Sequence, residues 1–326
     1  MGEVSTEFKK TALRQKQSLP LEGKIILSQQ RIKEWYDHWG GNVYISFSGG
    51  KDSTVLLDLV KGMYPDVPAV FCDTGLEYPE VRTFATALAD VIIRPKMRFD
   101  KVIQTYGYPV VSKEVSQVVH EARVSLRRGR TDSAQLRKLR GQKLDKDGNK
   151  SSYNLERYAY LLEAPFAISH RCCQVMKKDP FKAYEKENGR KAIIGTIAAE
   201  SALRTTNYLR YGCNVFDRNR PTSQPLSVWL EQDILSYIKT KELPIASVYG
   251  EITGYGVLST TGASRTGCMF CMFGAQCDKA PNRFQRMQKT HPRQYAYCMK
   301  PVEDGGLGLQ KVLEYLNIPY ESDGDV

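Results

Sequence analysis

Apolar and polar positions fall into alternating blocks along the first third of the chain. The run Val43–Phe47 reads as a buried strand, and over residues 54–63 Val55, Leu56, Leu59, Val60 and Met63 recur at helical spacing. Ala69–Cys72 predicts a second strand, residues 80–90 a helix and Val91–Ile93 a third strand. Such alternation implies parallel strands joined by right-handed helical crossovers. Ligands of these sheets sit beyond the carboxyl ends of the strands. Upstream, Ile25, Ile26, Ile32 and Trp35 supply the apolar positions of an N-terminal helical extension over residues 1–40. Residues 121–160 break the pattern. They are basic, then turn-rich, then aromatic at Tyr153, Tyr158 and Tyr160, which predicts an insertion packed over or beside the mouth of the ligand site. Residues 191–195 return to buried-strand character, and residues 227–240 predict a helix with Ser227 as N-cap. The expected organisation is an extension over 1–40, an α/β domain over 41–250 carrying the insertion, and a region rich in Gly, Thr and Cys over 251–326.

Between the first strand and the first crossover helix stands Ser48-Gly49-Gly50-Lys51-Asp52-Ser53. A strand, a glycine turn and a helix start aim backbone N–H groups and the positive end of a helix at one spot. Lys51 adds a full charge, and Ser48 and Ser53 add hydroxyls. A nucleotide phosphate suits this arrangement; a plain surface turn, where Gly, Asp and Ser are common, is the alternative.

The six-residue string resembles the signature of ATP pyrophosphatases that cut between the α and β phosphates. The resemblance extends to the phosphoadenosine phosphosulfate reductase family. Asp73-Thr74-Gly75, after the apolar residues 67–72, is similar to that family's second nucleotide-contacting segment. Cys172-Cys173 with Lys177 resembles its paired-cysteine segment, Glu200-Ser201 with Arg204 its anion-binding stretch, and Trp229 with Asp233 its late helix. The resemblance implies a doubly wound, mostly parallel α/β sheet of the adenine nucleotide alpha-hydrolase type. It implies that Ser48, Gly49, Gly50, Lys51, Asp52, Ser53, Asp73, Thr74 and Gly75 bind the nucleotide. Lys51, Asp52, Arg204 and Lys177 are the expected catalytic residues. Glu200, Ser201, Arg204 and Arg265 are expected to meet an anionic second substrate.

At 326 residues, 41% apolar and 25% charged, the chain has the composition of a soluble globular protein. A polar, basic N-terminus and the lack of a membrane-length apolar run lead to the expectation of a cytoplasmic protein. In that compartment the eight cysteines are ligands or free thiols rather than disulfides. Cys268 and Cys271 form a Cys-x-x-Cys turn, and Cys277 follows. With Cys172 and Cys173 they supply thiolates for a structural zinc ion or for an iron–sulfur cluster. Adjacent cysteines suit the wider cluster better, and the spacing resembles the 4Fe-4S ligands of the family's adenylylsulfate reductases. Cys72, Cys213 and Cys298 read as small buried residues.

The net charge of +11 suits anionic partners. Basic residues crowd positions 123–143, which is either a solvated helix or a track for a nucleic-acid backbone. The reductases' C-terminal Glu-Cys-Gly-Leu/Ile-His motif is missing, and Cys298 is the nearest candidate thiolate. The leading expectation is therefore an iron–sulfur ATP pyrophosphatase, similar to that of DNA phosphorothioation systems. It would use ATP and magnesium to adenylylate an acceptor during sulfur transfer, with nucleic acid and a sulfur-donor protein as candidate partners. A reductase acting on a sulfonucleotide is the runner-up, and a non-catalytic nucleotide sensor or nucleic-acid-binding subunit is the third reading.

Overall fold

A computed structural model describes residues 6–322. The chain forms two compact units, each assembled from two stretches of sequence. One comprises residues up to Arg94 together with Pro180–Gly267; the other comprises Pro95–Asp179 and the residues from Cys268 onward. This division cuts across the segmentation read from the sequence.

The first unit is built on a six-stranded sheet. Its strands are β1 (Val43–Phe47), β2 (Ala69–Cys72) and β3 (Val91–Ile93), followed by Lys191–Ile194, Asn214–Val215 and Thr222–Ser223. The spatial order is β3, β2, β1, Lys191–Ile194, Thr222–Ser223, Asn214–Val215, and every pairing is parallel except the last. From β1 the chain steps through β2 to β3 on one side, then returns to lay Lys191–Ile194 along β1's other edge. β1 and Lys191–Ile194 thus flank a topological switch point, the place where open α/β sheets hold ligands.

The helices of this unit are α1 (Thr6–Gln17), α2 (Leu21–His38), α3 (Lys51–Met63) and α4 (Pro79–Leu88), then Ala202–Tyr211 and Glu231–Thr240. The stripe predicted for α3 is its core face, with Val55, Leu56, Leu59 and Val60 all buried. The helix begins three residues earlier than its apolar pattern. The N-terminal segment is part of this core: Leu13, Ile32 and Trp35 join Phe47, Phe71 and Trp229, whereas Ile26 points outward. Buried Lys24 donates to Asp233 Oδ2 at 2.6 Å, and the Trp229 indole donates to Ser28 Oγ at 2.9 Å. Trp229 and Asp233 therefore tie α2 to the late helix. That helix starts at Glu231, not at Ser227. Asp233 caps it by accepting from the Leu230 N–H, while the Ser227 hydroxyl closes a turn on the Gln224 carbonyl.

The second unit is mostly helical, with Phe99–Tyr106, Lys113–Arg127, Ala134–Leu139, Arg283–Thr290, Pro292–Met299 and Leu309–Tyr315. A parallel pair of short strands, Val110–Val111 and Met272–Phe273, joins its two stretches. Arg123 is spent on structure, its guanidinium donating to the carbonyls of Leu161, Leu162, Ala164 and Phe166. Cys298 is fully buried, as its core reading required. No described helix is long and apolar enough to cross a membrane.

Candidate functional site

A cleft of about 460 Å³ opens at the switch point of the first unit's sheet. This size falls within the range of about 300–1,000 Å³ typical of small-molecule sites. On one side it is lined by Ser48, Gly50, Lys51, Asp52 and Ser53, and on the other by residues following the Lys191–Ile194 strand.

The turn after β1 is closed by its own hydroxyls. Ser48 Oγ and Ser53 Oγ lie 3.0 Å apart, Ser53 Oγ donates to the Gly50 carbonyl at 2.8 Å, and the Ser48 N–H donates to Ser53 Oγ at 3.2 Å. Gly49 adopts φ +72, and a Cβ there would lie 2.9 Å from both the Val81 carbonyl oxygen and Ala85 Cβ. Its role is to let the turn pass close over α4; it does not line the cleft. Gly50 is the N-cap of α3, so Lys51, Asp52 and Ser53 occupy the helix's first turn. Lys51 is only 6% exposed; its Nζ donates to Glu231 Oε1 at 3.1 Å and sits 5.5 Å from the centroid of the Tyr249 ring. Burial holds the Asp52 carboxyl above its usual range, with Lys51 and Arg265 pulling the other way.

Arg204 and Arg265 both contact the Glu200 carboxylate, forming a two-guanidinium clamp at the cleft. Ser201 serves the clamp indirectly. It caps the helix Ala202–Tyr211, its hydroxyl accepting from the Arg204 N–H at 3.3 Å.

Asp73, Thr74 and Gly75 follow β2, one strand away from the switch point, and are not among the cleft's lining residues. Arg82 grips the Asp73 carboxylate with two hydrogen bonds of 2.7 and 2.9 Å, and Arg94 adds a third of 3.3 Å. These bonds, Arg82's first, hold the carboxyl below its ordinary value of 3.8. A depressed carboxyl stabilises the fold above its unfolded pKa, and that contribution is lost as pH falls through the folded value. Asp73→Asn is therefore expected to cost about 1 kcal/mol at pH 7, since Arg82 is half exposed. Urea unfolding at neutral pH and near pH 3 checks this, with the deficit shrinking at the lower pH. A deficit that grew on acidification would contradict it.

Several cleft residues escaped the sequence reading: Gly195, Thr196, Glu231, Tyr249, Ser264 and Thr266. Gly195 had a signal, being the glycine that ends a buried run. A Cβ there would stand 2.9 Å from the Asp52 carbonyl oxygen, so it lets the second strand end press against α3. Tyr249 carried none. Its hydroxyl lies 2.5 Å from Thr266 Oγ1, and burial raises its pKa.

The five candidate ligand cysteines, Cys172, Cys173, Cys268, Cys271 and Cys277, all lie in the second unit. Cys172 Sγ and Cys173 Sγ are 3.9 Å apart, ahead of a π-helical turn over Gln174–Lys178 that carries Lys177. The Cys172 thiol, together with Lys113, Lys177 and Lys178, draws the Cys173 thiol below its usual range against its burial, while Cys172 is pushed up. Cys268 and Cys271 bear electrostatically on Cys172. Arg283 organises the Cys-x-x-Cys loop by donating to the carbonyls of Cys271 and Phe273 and pairing with Asp278. Cys277 is exposed. Among the described residues, no three His, Cys, Asp or Glu side chains are arranged to hold a single metal ion.

The sequence model of the phosphoadenosine phosphosulfate reductase domain matches residues 42–105 and 133–273. An uncharacterised protein of Methanocaldococcus jannaschii is 23% identical over 74% of this chain, and the alignment spans 38% of that protein. A phosphoadenosine 5'-phosphosulfate reductase of Serratia proteamaculans is 36% identical over 19% of this chain and 26% of its own length. The chain thus spans well under half the length of these two relatives. An adenosine 5'-phosphosulfate reductase of Geobacillus kaustophilus is 24% identical over 72% of this chain and 75% of its own. The crystal structure of a phosphoadenylyl-sulfate reductase from Candida auris in complex with phosphate is a loose likeness. Its TM-score is 0.39 at 15% identity, covering 81% of this chain and 99% of that one. The domain match takes in the Ser48–Ser53 turn, the Glu200–Arg204 stretch and four of the five clustered cysteines within well over half of the sequence, and the chain belongs to the phosphoadenosine phosphosulfate reductase domain family.

Proposed function

We propose that this chain is an ATP pyrophosphatase that passes the adenylyl group of ATP to an acceptor during sulfur transfer. The observation that carries this reading is the cleft at the switch point, with Lys51 in the first turn of α3 and a two-arginine clamp at the same opening. Lys51, the Ser48 and Ser53 hydroxyls and the first N–H groups of α3 suit the β and γ phosphates. Asp52 is the carboxylate for the magnesium that ATP brings. An acceptor oxygen attacks the α-phosphorus, the bond to the bridging oxygen breaks, pyrophosphate leaves with its charge held by Lys51, and the acceptor's proton passes to solvent. Arg204 and Arg265 can release Glu200 to hold an anionic acceptor. Cys298 is fully buried and burial pushes its thiol up, which argues against its serving as the thiolate that attacks a sulfonucleotide.

We assign Cys172, Cys173, Cys268 and Cys271 as the residues that would hold an iron–sulfur cluster. Two thiols on neighbouring residues suit a wide, multi-iron group, and Lys113, Lys177 and Lys178 offset thiolate charge. Such a group, when bound, supplies charge storage and sulfur chemistry.

A second reading, a sulfonucleotide reductase served by a separate thiol protein, is favoured by the adenosine 5'-phosphosulfate reductases that align over most of the chain. An anaerobic comparison of ATP with both sulfonucleotides separates the two. Pyrophosphate from ATP is the expected result. Sulfite from a sulfonucleotide would establish the second reading instead, and tight nucleotide binding with neither product would make the chain a sensor.

A further inference from the structure

We propose that an exposed face of the second unit, over residues 126–157, docks a single strand of nucleic acid, and that this face is separate from the nucleotide cleft and independent of its chemistry. Lys and Arg far outnumber Asp and Glu in this stretch. With Arg123 committed to backbone carbonyls, the remaining cations divide by what they touch. Arg127, Arg128 and Arg130 are exposed and have no acidic partner among the described residues. Arg137 meets Asp132 at 3.5 Å with both side chains more than half exposed, a pairing worth little in water.

Of these cations, Arg137 lines a groove of about 490 Å³ between the helices Lys113–Arg127 and Ala134–Leu139. Arg137 and Lys143 wall it beside Lys138, which is paired with Glu114, and Glu121, which accepts from the Gln135 amide; Val118 and Ala134 give it an apolar floor, and Gln142 offers an amide donor and acceptor. Beside it, Lys143 Nζ lies 5.3 Å from the ring centroid of Tyr153, a residue 67% exposed. Arg157 lies 4.7 Å over Tyr158. The sequence shows no aromatic interleaving among the arginines. The fold creates it, by pairing Leu144 with Lys150 so that Tyr153 comes beneath Lys143.

Cations that follow a backbone, beside exposed rings on which bases stack, are the physical signature of a single-strand platform. A small anion would not use the cations of the loop after Arg127, which lie outside the groove lining. A membrane surface would need an apolar face to insert, and the large aliphatic side chains exposed in this stretch are only Leu126 and Leu144. A solvated helix face accounts for the charge but not for the groove or for the tyrosines lying under Lys143 and Arg157.

The test is fluorescence anisotropy of the full chain with a labelled single-stranded oligonucleotide, its duplex and a labelled polyglutamate. Single-strand binding is expected to weaken linearly with salt on logarithmic axes. The double substitution Arg128→Ala with Arg130→Ala should lower affinity about tenfold near 0.1 M salt and flatten the slope by about 0.7 for each phosphate no longer neutralised. Tyr153→Ala should cost about tenfold on the single strand and much less on the duplex. Thermal unfolding and nucleotide turnover should stay at wild-type levels, since none of these residues touches the cleft. Absent binding at 0.1 M salt, unaffected variants, tighter binding to the duplex, or equal competition by polyglutamate would each overturn the proposal.

Discussion

Lys51→Ala is expected to lower turnover by about 10²–10³-fold while leaving the fold nearly as stable as before. The two halves of this expectation come from different surroundings of one side chain. Lys51 is buried, but its acidic partner Glu231 is 53% exposed and stays hydrated once the ammonium is gone. An ion pair with one solvated member contributes no more than about 1 kcal/mol, so little stability is at stake. The catalytic loss is larger because the ammonium sits in the first turn of α3, where leaving-group charge would develop in a partly desolvated cleft. There a fixed charge is worth far more than in water. Glu231→Gln supplies the contrast: it removes the resting partner of Lys51 but keeps the cation, and should change turnover only a few-fold. Pyrophosphate release and a thermal melt measured on both variants check the pair. Unchanged release in Lys51→Ala would remove the Ser48–Ser53 turn from the chemistry.

Local features of this site were legible and long-range ones were not. The first strand, the glycine turn and the apolar stripe of α3 are adjacent in sequence, and the periodicity of 43–63 placed them correctly. The helix start was misplaced because Lys51, Asp52 and Ser53 are polar and read as loop, although the Ser53 hydroxyl is satisfied by the Gly50 carbonyl one turn back. Ser227 showed the reverse error. It has the chemistry of an N-cap and lies near an apolar run, but the cap is supplied from inside the helix by Asp233. Glu231, Tyr249 and Thr266 come to the cleft from some 180 residues or more beyond Lys51 in the chain, brought there by a crossover that reverses the strand order. No local pattern encodes that reversal. The resemblance and a position at a strand end put Asp73 among the nucleotide-binding residues. It ends the strand next to β1 on the far side from the switch point, and its carboxylate belongs to Arg82 and Arg94.

Gly49→Ala is expected to destabilise the first unit by about 2–5 kcal/mol. Two costs combine. A left-handed backbone disfavours an L side chain by about 1–2 kcal/mol, and Gly49 sits at φ +72. The new Cβ would also fall 2.9 Å from the Val81 carbonyl oxygen and from Ala85 Cβ, neither of which is a flexible side-chain end. Overpacking of this kind adds roughly 1–3 kcal/mol. Gly75 separates the terms. Its φ is +71, but a Cβ there meets nothing within 4 Å, so Gly75→Ala should show the backbone cost alone. Relief of the clash in Gly49→Ala can come only by lifting the turn off α4. That would re-aim the N–H groups of Gly50 and Lys51, so nucleotide affinity should fall along with stability. Urea unfolding of both variants, with nucleotide binding by calorimetry, tests the argument. If Gly49→Ala proved no worse than Gly75→Ala, the turn would not be held down by α4, and the cleft's geometry would need another cause.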